Sequence, residues 1–228
     1  GQHWYRCHEW VDGTAKNNED TSAADAEAMG RLVAHLHGLA IPAGDLEPSP
    51  DWRLQLDASL YAGRARHAIW ADQLAAGLDQ LCAMTTPSVP PDELIGSHRD
   101  LNAHNVLFSA SGLRLIDWDA AGPAWPRWER ADFALRWAGR HGSYDETAVR
   151  AFLRGYRDGG GAWDAADPDV LSAAPARFLP WVVENIEMAV NRPSDEQDEV
   201  TAILIDVALT APYEVSARTA VLARCLRL

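Results

Sequence analysis

The chain has 228 residues, 47% hydrophobic and 23% charged, an ordinary globular composition for one sizeable domain or a core with a helical extension. Its net charge of −13 is the wrong sign for duplex nucleic acid, which wants a basic stripe, and favours a cationic ligand if it does more than maintain solubility. Its best apolar run, Ala202 to Ala208, is too short for a membrane span and is interrupted by Asp206.

The N-terminus, GQHWYRCHEW, carries no signal-peptide pattern, and begins with glycine rather than methionine, which suggests an upstream portion. Residues 3–11 are rich in aromatics and end at the turn signal Asp12-Gly13, so they read as a strand followed by a polar linker through Asp20. Thr21 or Ser22 caps a helix in which Met29, Leu32, Val33, Leu36 and Leu39 repeat at helical spacing. Pro42 and Gly44 end it. A long helix is expected over about 53–83, and the three prolines of TTPSVPP then require an extended or turning segment. Val106 to Phe108 and Leu113 to Leu115 flank Ser-Ala-Ser-Gly and predict a small hairpin. Helices follow at about 130–139, 145–157, 168–191 and 196–226, with Pro175, Pro180 and Pro212 expected to kink or divide the later ones. Three scattered cysteines, Cys7, Cys82 and Cys225, read as free thiols of a reducing compartment, so the cytoplasm is the expected location.

The stretch from His98 to Asn105, H-R-D-L-N-A-H-N, fits the kinase catalytic-loop pattern H-x-D with asparagine five residues after the aspartate. Asp117 follows in L-I-D-W-D, after an apolar strand. Phosphoryl transfer needs a carboxylate that orients the acceptor hydroxyl and takes its proton, which suits Asp100. It also needs hard oxygen ligands for magnesium, which suits Asn105 and Asp117 at the two ends of a tight hairpin. Turn formation is the bland alternative for Asp100 and Asn105. His98 reads as a packed residue supporting the loop, and His104 as structural. Asp119 suits either metal or a turn cap, and Asp132 alone fits a helix N-terminus. A zinc site built from His35, His37, His98, Asp100 and His104 was weighed. It is disfavoured because His35 and His37 fall on different faces of their helix.

Together, H-x-D-x-x-x-x-N, the hairpin and I-D-W resemble aminoglycoside phosphotransferases, choline kinases and related small-molecule kinases. The resemblance implies the C-terminal lobe of a protein-kinase-like fold: a mainly helical α+β domain with a small catalytic β-hairpin. It implies Asp100 as catalytic base, Asn105 and Asp117 as metal ligands, His98 as support, and Asp132 in ERADFA as the buried aspartate that braces the catalytic loop through backbone hydrogen bonds. HEWVDG resembles the hinge between lobes, whose backbone near Glu9 and Val11 would meet adenine. The implied organisation is a hinge strand at 1–13 and a kinase-like core at 14–140, with a catalytic loop at 98–105 and a metal-binding segment at 117–119. A C-terminal helical substrate-side subdomain would occupy 141–228. ATP and Mg2+ are the implied cofactors.

The acceptor would be a small, cationic molecule, an aminoglycoside-like antibiotic or an amino alcohol. Trp181, Glu184, Asn185 and Met188 share a helical face and offer it aromatic and acidic contacts, unless the two apolar residues are core. No glycine-rich phosphate loop precedes the hinge, and the only lysine, Lys16, lies after it. The rival reading is therefore a non-catalytic, kinase-derived ligand-binding module. A protein kinase is disfavoured by Asp117-Trp118-Asp119 in place of D-F-G and by the lack of an A-P-E segment.

Overall fold

The computed structural model describes residues 10–44, 51–83, 91–140, 143–162 and 174–226. They form two compact units interleaved along the chain, one drawn from Gly1–Gly44 and Leu94–Trp163, the other from Asp45–Glu93 and Asp164–Leu228.

The first unit carries α1 (Ala23–Gly38), four short strands around the loop at 98–105, α4 (Pro126–Ala138), β5 and β6 (Gly139–Arg140, Ser143–Tyr144) and α5 (Glu146–Asp158). Ser22 caps α1 in a reciprocal box: its Oγ accepts from the Asp25 amide at 3.1 Å, and Asp25 Oδ2 accepts from the Ser22 amide at 2.8 Å. Thr21 instead turns its hydroxyl inward, donating to the carbonyls of Asn18 and Trp137. Pro126 opens α4, where a missing N–H costs nothing, so this helix begins four residues before the expected 130. Asp145 caps α5 by accepting from the Thr147 and Ala148 amides.

Helices α1 and α5 cross with their backbones nearly touching. A Cβ on Gly30 would fall 2.1 Å from the Phe152 carbonyl oxygen, and one on Gly155 2.0 Å from that of Glu27. Around this crossing Met29, Val33, Phe133, Trp137, Phe152 and Tyr156 are removed from solvent. The strands make three antiparallel pairs: β1 (Ile95–Ser97) with β4 (Gly122–Ala124), β2 (Val106–Ser109) with β3 (Gly112–Leu115), and β5 with β6. The β2–β3 pair is the expected hairpin, in register Val106↔Leu115 through Ser109↔Gly112.

The second unit is helical among its described residues: α2 (Trp52–Ala65), α3 (Ala71–Ala83), α6 (Ala174–Asn191) and α7 (Asp195–Leu226). Leu56, Trp70, Leu74, Leu81, Val182, Ile186 and Ile205 belong to one core cluster. The single helix expected over 53–83 is two helices. His67 takes a left-handed φ of 58°, and the amides of His67 and Ala68 return to the carbonyls of Arg64 and Gly63. That is a Schellman stop, with histidine in the place glycine usually fills. Trp70 then folds back over Gly63, where a Cβ would meet the indole at 2.4 Å. The expected division of the last helices at proline does not occur. The backbone stays helical through Pro180 in α6 and through position 212 in α7. A proline removes one bond of the ladder, and a long helix packed on its neighbours retains the rest. No helix among the described residues is long and apolar enough to cross a membrane.

Candidate active site

The hairpin brings the backbone at Asn105 beside the segment that leads to Asp117. Its ladder continues past β2 and β3 to a bond from the Ile116 amide to the Asn105 carbonyl, 3.0 Å. Asn105 therefore lies across from Ile116, and Asp117 is the next residue along. Asp117 has φ 61° and ψ 67°, a left-handed geometry that aspartate tolerates better than most residues. Its carboxylate is exposed and makes no hydrogen bond among the described residues.

Asn105 is buried. Its Nδ2 donates to the Asp100 carbonyl at 2.8 Å and to Asp100 Oδ2 at 3.0 Å. Both partners only accept, so the amide nitrogen must face Asp100, and Oδ1 is left as this side chain's acceptor. An amide oxygen and a neighbouring carboxylate make a hard donor set that fits a divalent cation such as magnesium.

The neighbouring loop residues are fastened to their own surroundings. His98 is fully buried and donates from Nε2 to the Ile116 carbonyl at 2.8 Å, which links the start of the catalytic loop to the residue before Asp117. Its ring also lies against Trp118, with centroids 4.6 Å apart. Arg99, between His98 and Asp100, has φ 66°, and its guanidinium lies against Gly122, where a Cβ would approach Nη1 to 3.0 Å. The loop is pinned from beneath by buried Trp137, whose Nε1 donates to the Leu101 carbonyl at 2.8 Å. Asp132 pairs with Arg136 Nε at 2.9 Å, and Arg136 reaches Asp100 Oδ1 at 3.2 Å. Asp132 is thus linked to the catalytic loop through an arginine.

Three contributors were not picked out from the sequence: Asn18, Asn102 and Arg136. Asn102 Nδ2 donates to Asp100 Oδ1 at 2.6 Å, and its own Oδ1 accepts from Arg136 and, at 3.4 Å, from Asn18. Asn18 Oδ1 in turn accepts from the Ala103 amide at 2.7 Å. The linker before α1 was read only as polar chain, yet it is fastened to the loop. Thr14 pairs with Phe108 on β2, and Lys16 lies 4.2 Å above the Phe108 ring. Lys16 also bonds Asp25 at 2.8 Å. Burial would raise the Asp25 carboxyl, but hydrogen bonds from Lys16 and Ser22 outweigh it and hold the group below its ordinary value. The one lysine of the chain is therefore committed to the α1 cap and the hairpin.

Other candidates fall elsewhere. Glu9 and residues 3–9 of the expected strand lie outside the described residues. Trp10 and Val11 are exposed and in no strand, and the first pairing among the described residues is at Thr14. His35 is exposed and His37 buried, with His37 between Tyr156 Oη at 2.9 Å and Glu129 Oε2 at 3.2 Å. His104 and Asp119 are exposed. Among the described residues no three His, Cys, Asp or Glu side chains gather around one metal position. Trp181, Glu184 and Met188 are exposed on α6 of the second unit, so the two apolar residues are not core. Asn185 is buried and donates to the Trp181 carbonyl of its own helix.

Known proteins share this arrangement of elements. A choline kinase from Cryptosporidium parvum Iowa II matches with a TM-score of 0.58 at 12% identity, over 92% of this chain and 70% of its own. The spectinomycin phosphotransferase APH(9)-Ia, solved with ADP and spectinomycin, matches with 0.57 at 15% identity, over 89% and 70%. An aminoglycoside phosphotransferase from Alicyclobacillus acidocaldarius matches with 0.55 at 16% identity, over 96% and 70%. At these identities the likeness establishes the fold, the kinase-like α+β arrangement expected from the motifs. No curated protein sequence matches. The family itself is established by sequence: residues 1–168, most of the chain, match the model of the phosphotransferase enzyme family (APH), and the chain belongs to that family.

Proposed function

We propose that the protein transfers the γ-phosphate of ATP to a hydroxyl of a small, cationic molecule. The observation that carries this reading is the orientation of Asn105. Its amide nitrogen is held by Asp100 and its oxygen is left as an acceptor, one residue across the hairpin end from the unengaged carboxylate of Asp117. This arrangement supports reading Asp100 as the base and Asn105 and Asp117 as the two hard oxygen donors. Magnesium, held by Asn105 Oδ1 and Asp117, would supply charge neutralisation for the phosphates.

Asp100 would accept the proton of the acceptor hydroxyl as the oxygen attacks phosphorus. His98 and Trp137 hold the loop's backbone so that the carboxylate need not reorganise when charge develops. Backbone groups of Glu9 and Val11 would receive adenine. Trp181, Glu184 and Asn185 remain the proposed acceptor contacts within the 141–228 segment. The exposure of Trp181 and Glu184 leaves both available, while the inward bond of Asn185 makes it the weakest of the three. Three features support a cationic acceptor: the net charge of −13, the exposed Glu184, and relatives named for choline and for aminoglycosides. The spectinomycin enzyme with ADP supports an adenine nucleotide as donor. Location in the cytoplasm is proposed with it.

The test is kinetic, on the complete protein. Asp100→Ala should lower kcat by roughly 10²- to 10⁴-fold, the usual contribution of a positioned base, with the nucleotide dissociation constant little changed. Wild-type turnover in that variant would remove Asp100 from the role of base.

A further inference from the structure

We infer that Asn102 is a positioning residue for Asp100, fixing the plane of the carboxylate and so the lone-pair direction that meets the acceptor hydroxyl, and that Arg136 and Asn18 hold Asn102 in the one orientation that does this. The inference rests on Asp100 being the base of a phosphotransferase.

Each oxygen of a carboxylate offers about two lone-pair directions. Asp100 Oδ1 uses both: it accepts from Asn102 Nδ2 at 2.6 Å and from Arg136 Nη1 at 3.2 Å. Oδ2 uses one, accepting from Asn105 Nδ2 at 3.0 Å. The Asp100 side chain is 38% exposed, so the remaining direction, on Oδ2, is open to an incoming hydroxyl. Turning the carboxylate out of this plane would break three contacts at once.

Asn102 is the member whose role depends on orientation. An amide can be turned end for end at little cost unless its neighbours forbid it. Here Nδ2 faces a carboxylate oxygen, while Oδ1 accepts from Arg136 Nη1 at 3.3 Å and from Asn18 Nδ2 at 3.4 Å. Turning it would set NH2 against two donors and oxygen against a carboxylate, so only the observed orientation satisfies every group. Arg136 is fixed by the bond from its Nε to Asp132 at 2.9 Å, and Asn18 by the Ala103 amide at 2.7 Å. The segment before α1 and helix α4 thus converge on one side-chain amide two residues from the base.

The experiment uses the complete protein and phosphate release from magnesium-ATP with water as acceptor, so that no alcohol substrate need be known. Asn102→Leu keeps the side chain's size and removes its hydrogen bonds. It is expected to lower kcat roughly 10- to 100-fold, the range for a misplaced reactive group, at unchanged KM for ATP. Its crystal structure is expected to show the Asp100 carboxylate turned from its native orientation. Arg136→Met is expected to lower kcat in the same way, and Arg136→Lys, which keeps a cationic donor, to recover part of the loss. An Asp100 carboxylate that stays put in Asn102→Leu overturns the inference whatever the rate does. So does an unchanged kcat with the carboxylate moved, or an Arg136→Lys variant no better than Arg136→Met. A wild-type protein that turns over neither water nor any alcohol is a different failure: it removes the phosphotransferase reading, and with it the base that Asn102 would position.

Discussion

Asp198 offers a quantitative test of how the second unit is held together. Its side chain sits one turn into α7 with a residue exposure of 8%. It accepts from Arg66 Nη1 at 3.0 Å, Arg66 Nη2 at 2.5 Å and Trp70 Nε1 at 2.8 Å. Asp198→Ala would leave the Trp70 N–H without a partner in the core, a loss of about 1–3 kcal/mol. Arg66 would suffer less. Its side chain is 24% exposed and keeps a bond to the Ala189 carbonyl, so it can turn part of its charge to water. Together these give a loss of about 3 kcal/mol, toward the lower end of the cost of breaking a buried ion pair.

The pH dependence follows from the same contacts. Burial pushes the Asp198 carboxyl up, but hydrogen bonds from Arg66 and Trp70, and the Arg66 charge, more than reverse this and leave it below its ordinary value of 3.8. A carboxyl whose folded value lies below its unfolded value stabilises fully above the unfolded value, and loses that contribution as pH falls through the folded one. Urea denaturation followed by far-ultraviolet dichroism at pH 7 and at pH 3.5 measures both effects. The wild-type advantage over Asp198→Ala should be about 3 kcal/mol at pH 7 and smaller at pH 3.5. A difference below about 0.5 kcal/mol at pH 7, the level of an ordinary surface change, would refute the reasoning, as would one that widens on acidification.

Two further stability effects and one kinetic effect are expected. His67→Gly relieves a left-handed conformation at an exposed helix stop and should stabilise by about 1 kcal/mol in the same denaturation assay. Gly155→Ala places a methyl group 2.0 Å from the Glu27 carbonyl oxygen, a backbone atom that cannot swing away, so α1 and α5 must separate. A loss of at least about 2 kcal/mol is expected in thermal or urea denaturation. The Asp100→Ala loss of kcat without loss of nucleotide affinity is to be read by steady-state kinetics alongside direct binding.

The geometry of the candidate segment was legible because its signals are local. His98, Asp100 and Asn105 occupy one loop, and the hairpin that carries Asp117 round beside Asn105 is announced by its apolar runs and its Ser-Ala-Ser-Gly turn. The Ser22 cap was legible for the same reason, its partner lying three residues away. Asn18 and Arg136 were not, because their bonds to the loop span 84 or 85 residues and 34 or 36. Asn102 bonds Asp100 only two residues away, but its orientation is set by those same distant partners, and nothing in a local window distinguishes such an asparagine from a solvated one. The break between α2 and α3 escaped notice because the residue that stops the helix is histidine. A pattern that waits for glycine or proline runs straight past it.

The central claim is that Asn105 and Asp117 form a magnesium–nucleotide site. Calorimetric titration of the complete protein with ATP, with and without magnesium and with Asp117→Ala as control, tests it most directly. Binding is expected to require magnesium and to fall by at least an order of magnitude when the Asp117 carboxylate is removed, since hard cations depend on charged oxygen ligands. ATP binding that is undiminished in Asp117→Ala, or that is the same without magnesium, would contradict it.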